Sequence, residues 1–539
     1  MISVGQDAGL MQRMPYISSS HESRLETCSM ALRFRNFLTL SVILVCFGHY
    51  QSTAQEVTYQ ELFRPQFHFS PAINWMNDPN GMVYYDGEYH LFYQHNPEGI
   101  RWGHMSWGHA ISTDLVHWTH MPLALPETDS TMAFSGSAVV DWQNTSGFST
   151  SEEPPLVAIY TAHYPDQRKQ AQYLAYSNDR GRTWIPYENN PVLDIGMADF
   201  RDPKVFWYAP EEKWVMVIAL SLERKLHFYE SRDLKEWNFL SSFGPAGNAD
   251  GIWECPDLFE LDIENEPGVS RWVLEVDQGS EAIAGGSGGQ YFVGDFDGTT
   301  FTPGHSDTRW VDYGKDFYAA VSWSDVPADD GRRIWLGWMN NWLYANDIPT
   351  YPWRSAQSIP RTLTLRRIDD ELYLVQRPVE ELQTLRRDQL RIEDQILTGV
   401  MDLGEAFARK SMELLVEFEI GDSDEVGLRV HTSDDEATEV SFNFLRGTIS
   451  VNRRESGKID FHPTFSGHYH GPVHGFKTRV QLHIFVDWSS IEVFAEDGAV
   501  VFTNQIFPAM ESNRLELYAK GGPARLVSLD VWTLDSIWK

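Results

Sequence analysis

A turn that keeps coming back dictates the architecture of this chain. Ser112-Thr113-Asp114 leads to Trp118, Ser177-Asn178-Asp179 to Trp184, and Ser231-Arg232-Asp233 to Trp237. A related turn, Gly294-Asp295-Phe296-Asp297-Gly298, leads to Phe301. The intervals are near the length of one four-stranded propeller blade, so each turn reads as one blade. Four marked blades and an unmarked one that closes the ring predict five. The Asp side chain reads as a carboxylate that closes its turn, and the indole after it as a wedge between blades. Around these turns, short β-rich runs such as Met82-Val83-Tyr84-Tyr85 and Leu156-Val157-Ala158-Ile159-Tyr160 alternate with Gly, Asp, Asn and Pro clusters. Long helical periodicity is absent.

The chain therefore reads as all-β, with the propeller over 58–365. Residues 366–395 carry mixed charge and a short helical pairing at Pro378-Val379-Glu380-Glu381-Leu382, and read as a linker. Residues 396–539 alternate again, as in Arg479 to Val486 and Ser490 to Phe494, which predicts a sandwich of antiparallel strands. Residues 1–54 read as an extension and a secretory signal. Arg33 and Arg35 precede an apolar run from Phe37 to Phe47, then Ser52-Thr53-Ala54. The run is shorter than the about 20 residues a bilayer span takes. Met30 is the expected start, and the poor fit of Val45 argues against lipidation of Cys46. Cleavage after Ala54 would leave Cys255 as the one cysteine, so no intrachain disulfide is expected despite export.

Charge narrows the partners. The chain has 43 basic and 76 acidic residues, a formal net charge of −33 that would repel phosphate backbones and anionic lipids. Neither a nucleic-acid partner nor membrane insertion of the mature chain is expected, and a neutral sugar suits such a surface.

Three acidic residues stand in unusual settings. Asp78 lies in Trp75-Met76-Asn77-Asp78-Pro79-Asn80-Gly81, Asp202 in Phe200-Arg201-Asp202-Pro203, and Glu254 in Trp253-Glu254-Cys255-Pro256-Asp257. Alone, the first two are ordinary turn aspartates, since Asp-Pro and Asn-Gly both favour turns. Glu254 is harder to dismiss, because an indole and a thiol flank it and apolar surroundings favour a protonated carboxyl. Each of the three falls in a different blade, so a propeller would aim them at one funnel. Glycoside hydrolysis commonly pairs a carboxylate nucleophile with a protonated carboxyl that assists the leaving oxygen. Asn77, Gln94, Ser135 and Arg201 could then hydrogen-bond sugar hydroxyls, while Trp102 and Phe134 could pack against a ring.

At these residues the sequence resembles glycoside hydrolase family 32, the invertases, inulinases and levanases. The resemblance runs from about Phe69 to the C-terminus. It rests on the runs at 75–81, Phe134-Ser135-Gly136-Ser137, Arg201-Asp202-Pro203, Trp253-Glu254-Cys255-Pro256 and Asp316-Phe317-Tyr318-Ala319. Val486 to Phe494 also looks like the family's closing segment. The resemblance implies a five-bladed propeller followed by a β-sandwich. It makes Asp78 the nucleophile, Glu254 the general acid/base and Asp202 the stabiliser of the transition state, in a retaining mechanism without metal or organic cofactor. Gly337-Trp338-Met339-Asn340-Asn341-Trp342 resembles the exo-acting branch. One of Trp338 and Trp342 is expected to line the fructose pocket, with Trp342 favoured, and the other to sit in the core.

The expected activity is release of terminal β-fructofuranosyl units from inulin, levan or sucrose by a secreted enzyme. A sucrose-preferring invertase or a fructosyltransferase shares the same first subsite. A non-catalytic fructan-binding protein would have lost Asp78 or Glu254, and both are present. An arabinan-type five-bladed hydrolase fits the runs at 75–81 and 253–256 poorly. Oligomeric state is left open by the sequence.

Overall fold

The computed structural model describes residues 57–404, 409–475 and 477–538. The signal and start-site expectations for 1–54 lie outside the described residues. Five antiparallel sheets follow one another along the chain. Blade I holds Asn74–Tyr85, Glu88–Asn96, Ser106–Ser112 and Thr119–Leu125, and blade II holds Met132–Val140, Leu156–Tyr164, Lys169–Ser177 and Ile185–Pro186. Blade III holds Phe200–Tyr208, Lys213–Leu220, Lys225–Ser231 and Asn238–Phe243, and blade IV Trp253–Asp262, Ser270–Gln278, Gly288–Phe296 and Phe301–Pro303. Blade V holds Tyr318–Ser322, Arg333–Met339, Arg361–Ile368 and Glu371–Pro378. The first strand of each blade packs against the first strand of the next, and that of blade V returns to blade I, closing the ring.

The recurring turn does what its residues suggest. Asp114 accepts from the backbone N–H of Val116 and His117, Asp233 from Lys235 and Glu236, and Asp297 from Thr299 and Thr300. Asp179 accepts from Thr183. The next residue (Leu115, Arg180, Leu234 or Gly298) takes a left-handed φ of 59–89°. The indoles then bridge blades. Trp184 of blade II meets Phe92 of blade I edge-on at 5.5 Å, and Trp118 of blade I stacks near Trp323, just past the first strand of blade V.

The linker expectation for 366–395 is overturned. Residues 361–378 are the outer hairpin of blade V, so the propeller runs past 365. Its charges are ion pairs on an exposed edge. Arg366 and Arg377 both meet Glu264 and Asp497, and Arg367 meets Glu266. Only a short turn, Glu380–Leu385, separates this hairpin from the next strand, Arg386–Asp402. That strand pairs with Arg514–Leu534 alone, and Leu397 is its one buried residue, so its sequence shows no apolar alternation.

The C-terminal strands form a sandwich-like sheet folded over its own core of Leu, Val, Ile and Phe side chains. The long strand Arg514–Leu534 serves both halves. Its first part pairs with Glu425–Thr432 and its last part with Met412–Glu419. The turn of the sheet falls at Gly521, whose φ of 86° an L side chain rarely adopts.

Buried charge joins the sandwich to the propeller. Arg361 meets Glu492 at 2.5 Å and Asp312 at 3.3 Å, and Arg453 meets Asp316 at 2.5 Å. Asp316, the first residue of the 316–319 run, is thus an interface residue. His68 lies between Asp487 (2.8 Å) and Glu492 (2.9 Å), which explains the acids of the closing segment. Burial opposes charge on His68, yet hydrogen bonds to the two carboxylates outweigh it and hold the imidazole at about 9. A histidine raised this way stabilises fully below the unfolded value near 6.5, and the contribution disappears as pH rises through 9. Melting curves should therefore show up to about 3 kcal/mol of stability lost across that window, and His68→Gln should flatten the loss. An unchanged pH slope in the variant would remove His68 as its source.

Candidate active site

The five sequence runs prove to be one structural device used five times. Each lies at the start of the innermost strand of its blade, and each carries a β-bulge there. Register slips between Met76 and Pro79, Ala133 and Gly136, Arg201 and Lys204, Glu254 and Asp257, and Tyr318 and Val321. A bulge turns side chains out of strict alternation. Asp202, Cys255 and Ala319 accordingly take positive φ, between 48° and 63°. Proline at 79, 203 and 256 fits a place where the ladder is already broken. The bulges aim Asp78, Ser135, Asp202 and Glu254 into one cavity of about 470 Å³.

Asp78 sits at the cavity floor, 9% exposed. Ser135 Oγ donates to its Oδ2 at 2.7 Å and Asn77 Nδ2 to its Oδ1 at 2.9 Å, while Asn77 Oδ1 accepts from Trp75 Nε1 at 2.6 Å. Two of the residues expected to bind sugar therefore hold the carboxylate instead. Burial pushes the Asp78 carboxyl up, the two hydrogen bonds pull it down, and the charge of Glu254 pushes it up again.

Asp202 Oδ2 accepts the backbone N–H of Cys255 at 3.0 Å. Burial, opposed by Arg201 and reinforced by Glu254 and Asp78, raises the Asp202 carboxyl to about 7. The Cys255 thiol lies 3.7 Å from Asp78 Oδ2 and 3.6 Å from Asp202 Oδ2. Burial first, and these anions next, keep it protonated.

Glu254 meets polar partners rather than the apolar setting its neighbours suggested. Arg201 Nε donates to its Oε1 at 2.9 Å, and the Tyr318 hydroxyl to its Oε2. Trp253 and Cys255 bond elsewhere, to Asn248 and Asp202. Arg201 is itself held by Asp199 at 2.8 Å and Gln170 at 3.3 Å. Burial holds the Tyr318 phenol well above its ordinary value, so it stays a donor.

Asn77, Gln94, Trp102, Phe134, Ser135, Arg201 and Trp342 all line the cavity. Trp338 does not. It is fully buried, packed between Trp75, Tyr318 and Trp342, and belongs to the core. The sequence reading missed His163, Gln170, Asp199 and Ile252. Asp199 lies two residues before Arg201, just ahead of the strand that begins at Phe200. His163 and Gln170 are cross-strand partners in blade II with no run around them. His163 stacks on Phe134 at 4.5 Å, and Trp102 meets Phe134 edge-on at 6.0 Å, giving one aromatic wall. On the rim beyond Trp102, Glu98, His104 and Glu127 bring possible ligand atoms within 4.8 Å, in an exposed cluster already joined by a His104–Glu127 hydrogen bond.

Burial and the neighbouring carboxylates hold both Asp78 and Asp202 above the ordinary carboxyl range, beside a third acid, Glu254, on the same cavity. That is the equipment for acid-assisted displacement at a sugar carbon. The family model for the glycosyl hydrolases family 32 N-terminal domain matches residues 68–378, and that for the family 32 C-terminal domain matches 381–533. The chain belongs to glycoside hydrolase family 32.

This family 32 hydrolase is 47% identical over 524 residues to a levanase of Bacillus subtilis (strain 168), covering 94% of this chain and 76% of that one. It is 40% identical over 521 residues to the extracellular exo-inulinase of Aspergillus awamori, covering 89% and 96%. The crystal structure of exo-inulinase from Aspergillus awamori matches with a TM-score of 0.84 and 39% identity, over 89% of this chain and 100% of that one. The two family models also meet between 378 and 381, where blade V ends.

Proposed function

We propose that this family 32 enzyme is a secreted, exo-acting fructan β-fructosidase that works with retention. Asp78 is its nucleophile, Glu254 its general acid and base, and Asp202 the stabiliser of charge on the ring. Asp78 attacks C2 of a terminal fructosyl unit as the C2–O bond breaks, and Glu254 gives its proton to the leaving oxygen. Water then loses a proton to Glu254 and attacks C2, releasing fructose and regenerating both carboxyls.

The observation that carries this reading is the way Asp78 is held. Ser135 and Asn77 fix both oxygens of a carboxylate at the floor of a sugar-sized cavity, with Glu254 on a neighbouring wall clamped by Arg201 and Tyr318. The exo-inulinase relative, 40% identical over 89% of this chain, supports action at a chain end. Asp202, beside both carboxyls, is placed to meet fructose hydroxyls as positive charge develops. Trp102, Phe134 and Trp342 offer apolar surface to a furanose ring. The levanase and exo-inulinase relatives support fructan as the substrate, with sucrose sharing the first subsite.

Product analysis on inulin, levan and sucrose tests the reading. Fructose should be the sole early product from at least one fructan. Early oligosaccharides, or fructose from sucrose alone, would overturn it. Secretion follows from the basic, apolar, small-residue order of 33–54, and N-terminal sequencing of exported protein should begin at Gln55.

A further inference from the structure

Beneath the catalytic carboxyls lie acids that the mechanism above does not use. Glu254 and Asp277 are cross-strand partners in blade IV, and Asp257 and Glu275 are the next matched pair. Glu275 and Asp277, two residues apart, share a strand face. Both are fully buried, as is Asp257. Glu275 Oε1, Glu275 Oε2 and Asp277 Oδ1 have no hydrogen-bond partner among N–H and O–H donors. Two of these oxygens converge over Gly289, which faces Asp277 on the next strand. A Cβ on Gly289 would lie 2.7 Å from Glu275 Oε1 and 3.0 Å from Asp277 Oδ1, so only glycine leaves the pair room. Asp277 Oδ2 is committed. It accepts from Ala320 N–H at 3.1 Å, in the blade V bulge that follows Tyr318.

We propose that Asp277, sharing one proton with Glu275, is a positioning residue that holds Glu254 ready to donate; this rests on the general-acid reading of Glu254. One proton between the two carboxyls pairs two of the three bare oxygens, since a protonated carboxyl donates and its partner accepts. Because Asp277 already accepts from Ala320, the proton belongs on Glu275 and the charge on Asp277. Burial first, then the charges of Asp277 and Asp257, push Glu275 well above its ordinary value, and nothing pulls it down; burial also raises Asp277, but the Ala320 N–H pulls it back before the charges of Asp78 and Glu254 push it up again. An anion opposite Glu254 favours the form of Glu254 that keeps its proton. The same Asp277 fixes the bulge that carries Tyr318, and so the phenol that binds Glu254.

The charged and titratable groups around this pair are few. Glu254, Cys255 and Asp257 face it from the inner strand of blade IV, Asp78 from blade I and Tyr318 from blade V. Lys204 of blade III reaches Asp257 at 3.3 Å, and Arg201 reaches Glu254. Asp202 touches the thiol of Cys255.

The test compares Asp277→Asn and Glu275→Gln in the full mature chain, reading kcat/KM on sucrose against pH together with Tm. Asp277→Asn should move the alkaline limb to lower pH by roughly one unit. Glu275→Gln should leave it in place, because a glutamine amide donates to Asp277 as the shared proton does. A static limb in Asp277→Asn overturns the proposal, since a merely structural role would lower Tm in both variants and move no limb. If Asp277→Asn does not fold, infrared spectroscopy decides. The wild type should show a protonated-carboxyl band that Glu275→Gln lacks, and no lost band overturns the proposal. Glu254→Gln is the control. If it keeps full activity the general-acid reading has failed, and if it is inactive while the limb stays put only this inference has.

Discussion

Replacing Asp78 with alanine should abolish fructose release, with kcat falling by about 10⁴-fold or more, while the protein remains folded. No other group can take its place. Its Oδ2 is the oxygen held by Ser135, whereas Asp202 is tied to the Cys255 N–H and Glu254 is clamped by Arg201 and Tyr318. Stability should not suffer. The two donors left behind open onto a cavity that water can enter. The buried carboxyl is also a cost that the variant removes. Its value is raised above that of the unfolded chain, so its charged form opposes folding above that raised value. The opposition weakens as pH falls below the raised value and is gone below the ordinary carboxyl value, so the Tm of Asp78→Ala at neutral pH should equal or exceed that of the wild type. Fructose assays and thermal melts on the same preparation read both effects, and a variant with wild-type turnover would end the nucleophile assignment.

Glu254→Gln should lower kcat on sucrose by about 10²–10⁴-fold, the usual worth of a positioned general acid. The size of the loss should depend on the leaving group. Sucrose and fructans leave as alkoxides that need a proton, whereas fluoride does not. With β-fructosyl fluoride, formation of the covalent intermediate should therefore be nearly unimpaired. Glutamine is close in shape, and Arg201 and Tyr318 remain to hold it, so misplacement does not account for the loss. Equal slowing on both substrates would point to a structural role for Glu254 and against acid catalysis.

Much of this site was legible because it is written in contiguous runs. Asp78, Asp202 and Glu254 stand in peptide segments whose turn-forming and apolar neighbours set them apart, and those segments are three of the five bulged strand starts. The linker misreading shows the limit of that signal. Arg366, Arg367 and Arg377 look like solvated charge until Glu264, Glu266 and Asp497, distant in sequence, are brought beside them. Trp338 and Trp342 are four residues apart in one run, yet one lies in the core and the other on the cavity wall.

By itself, then, the sequence determined the all-β class and the number of blades and singled out three acids, because turns and bulges depend on residues adjacent in the chain. Tertiary structure alone decided which groups surround each acid. Asn77 and Ser135 hold Asp78, Arg201 and Tyr318 clamp Glu254, and Asp277 lies opposite it. Apart from Asn77, which adjoins Asp78 in the chain, those neighbours come from different blades or from an adjoining strand. Proton affinity depends on distance through a buried medium, and the order of residues along the chain does not encode that distance.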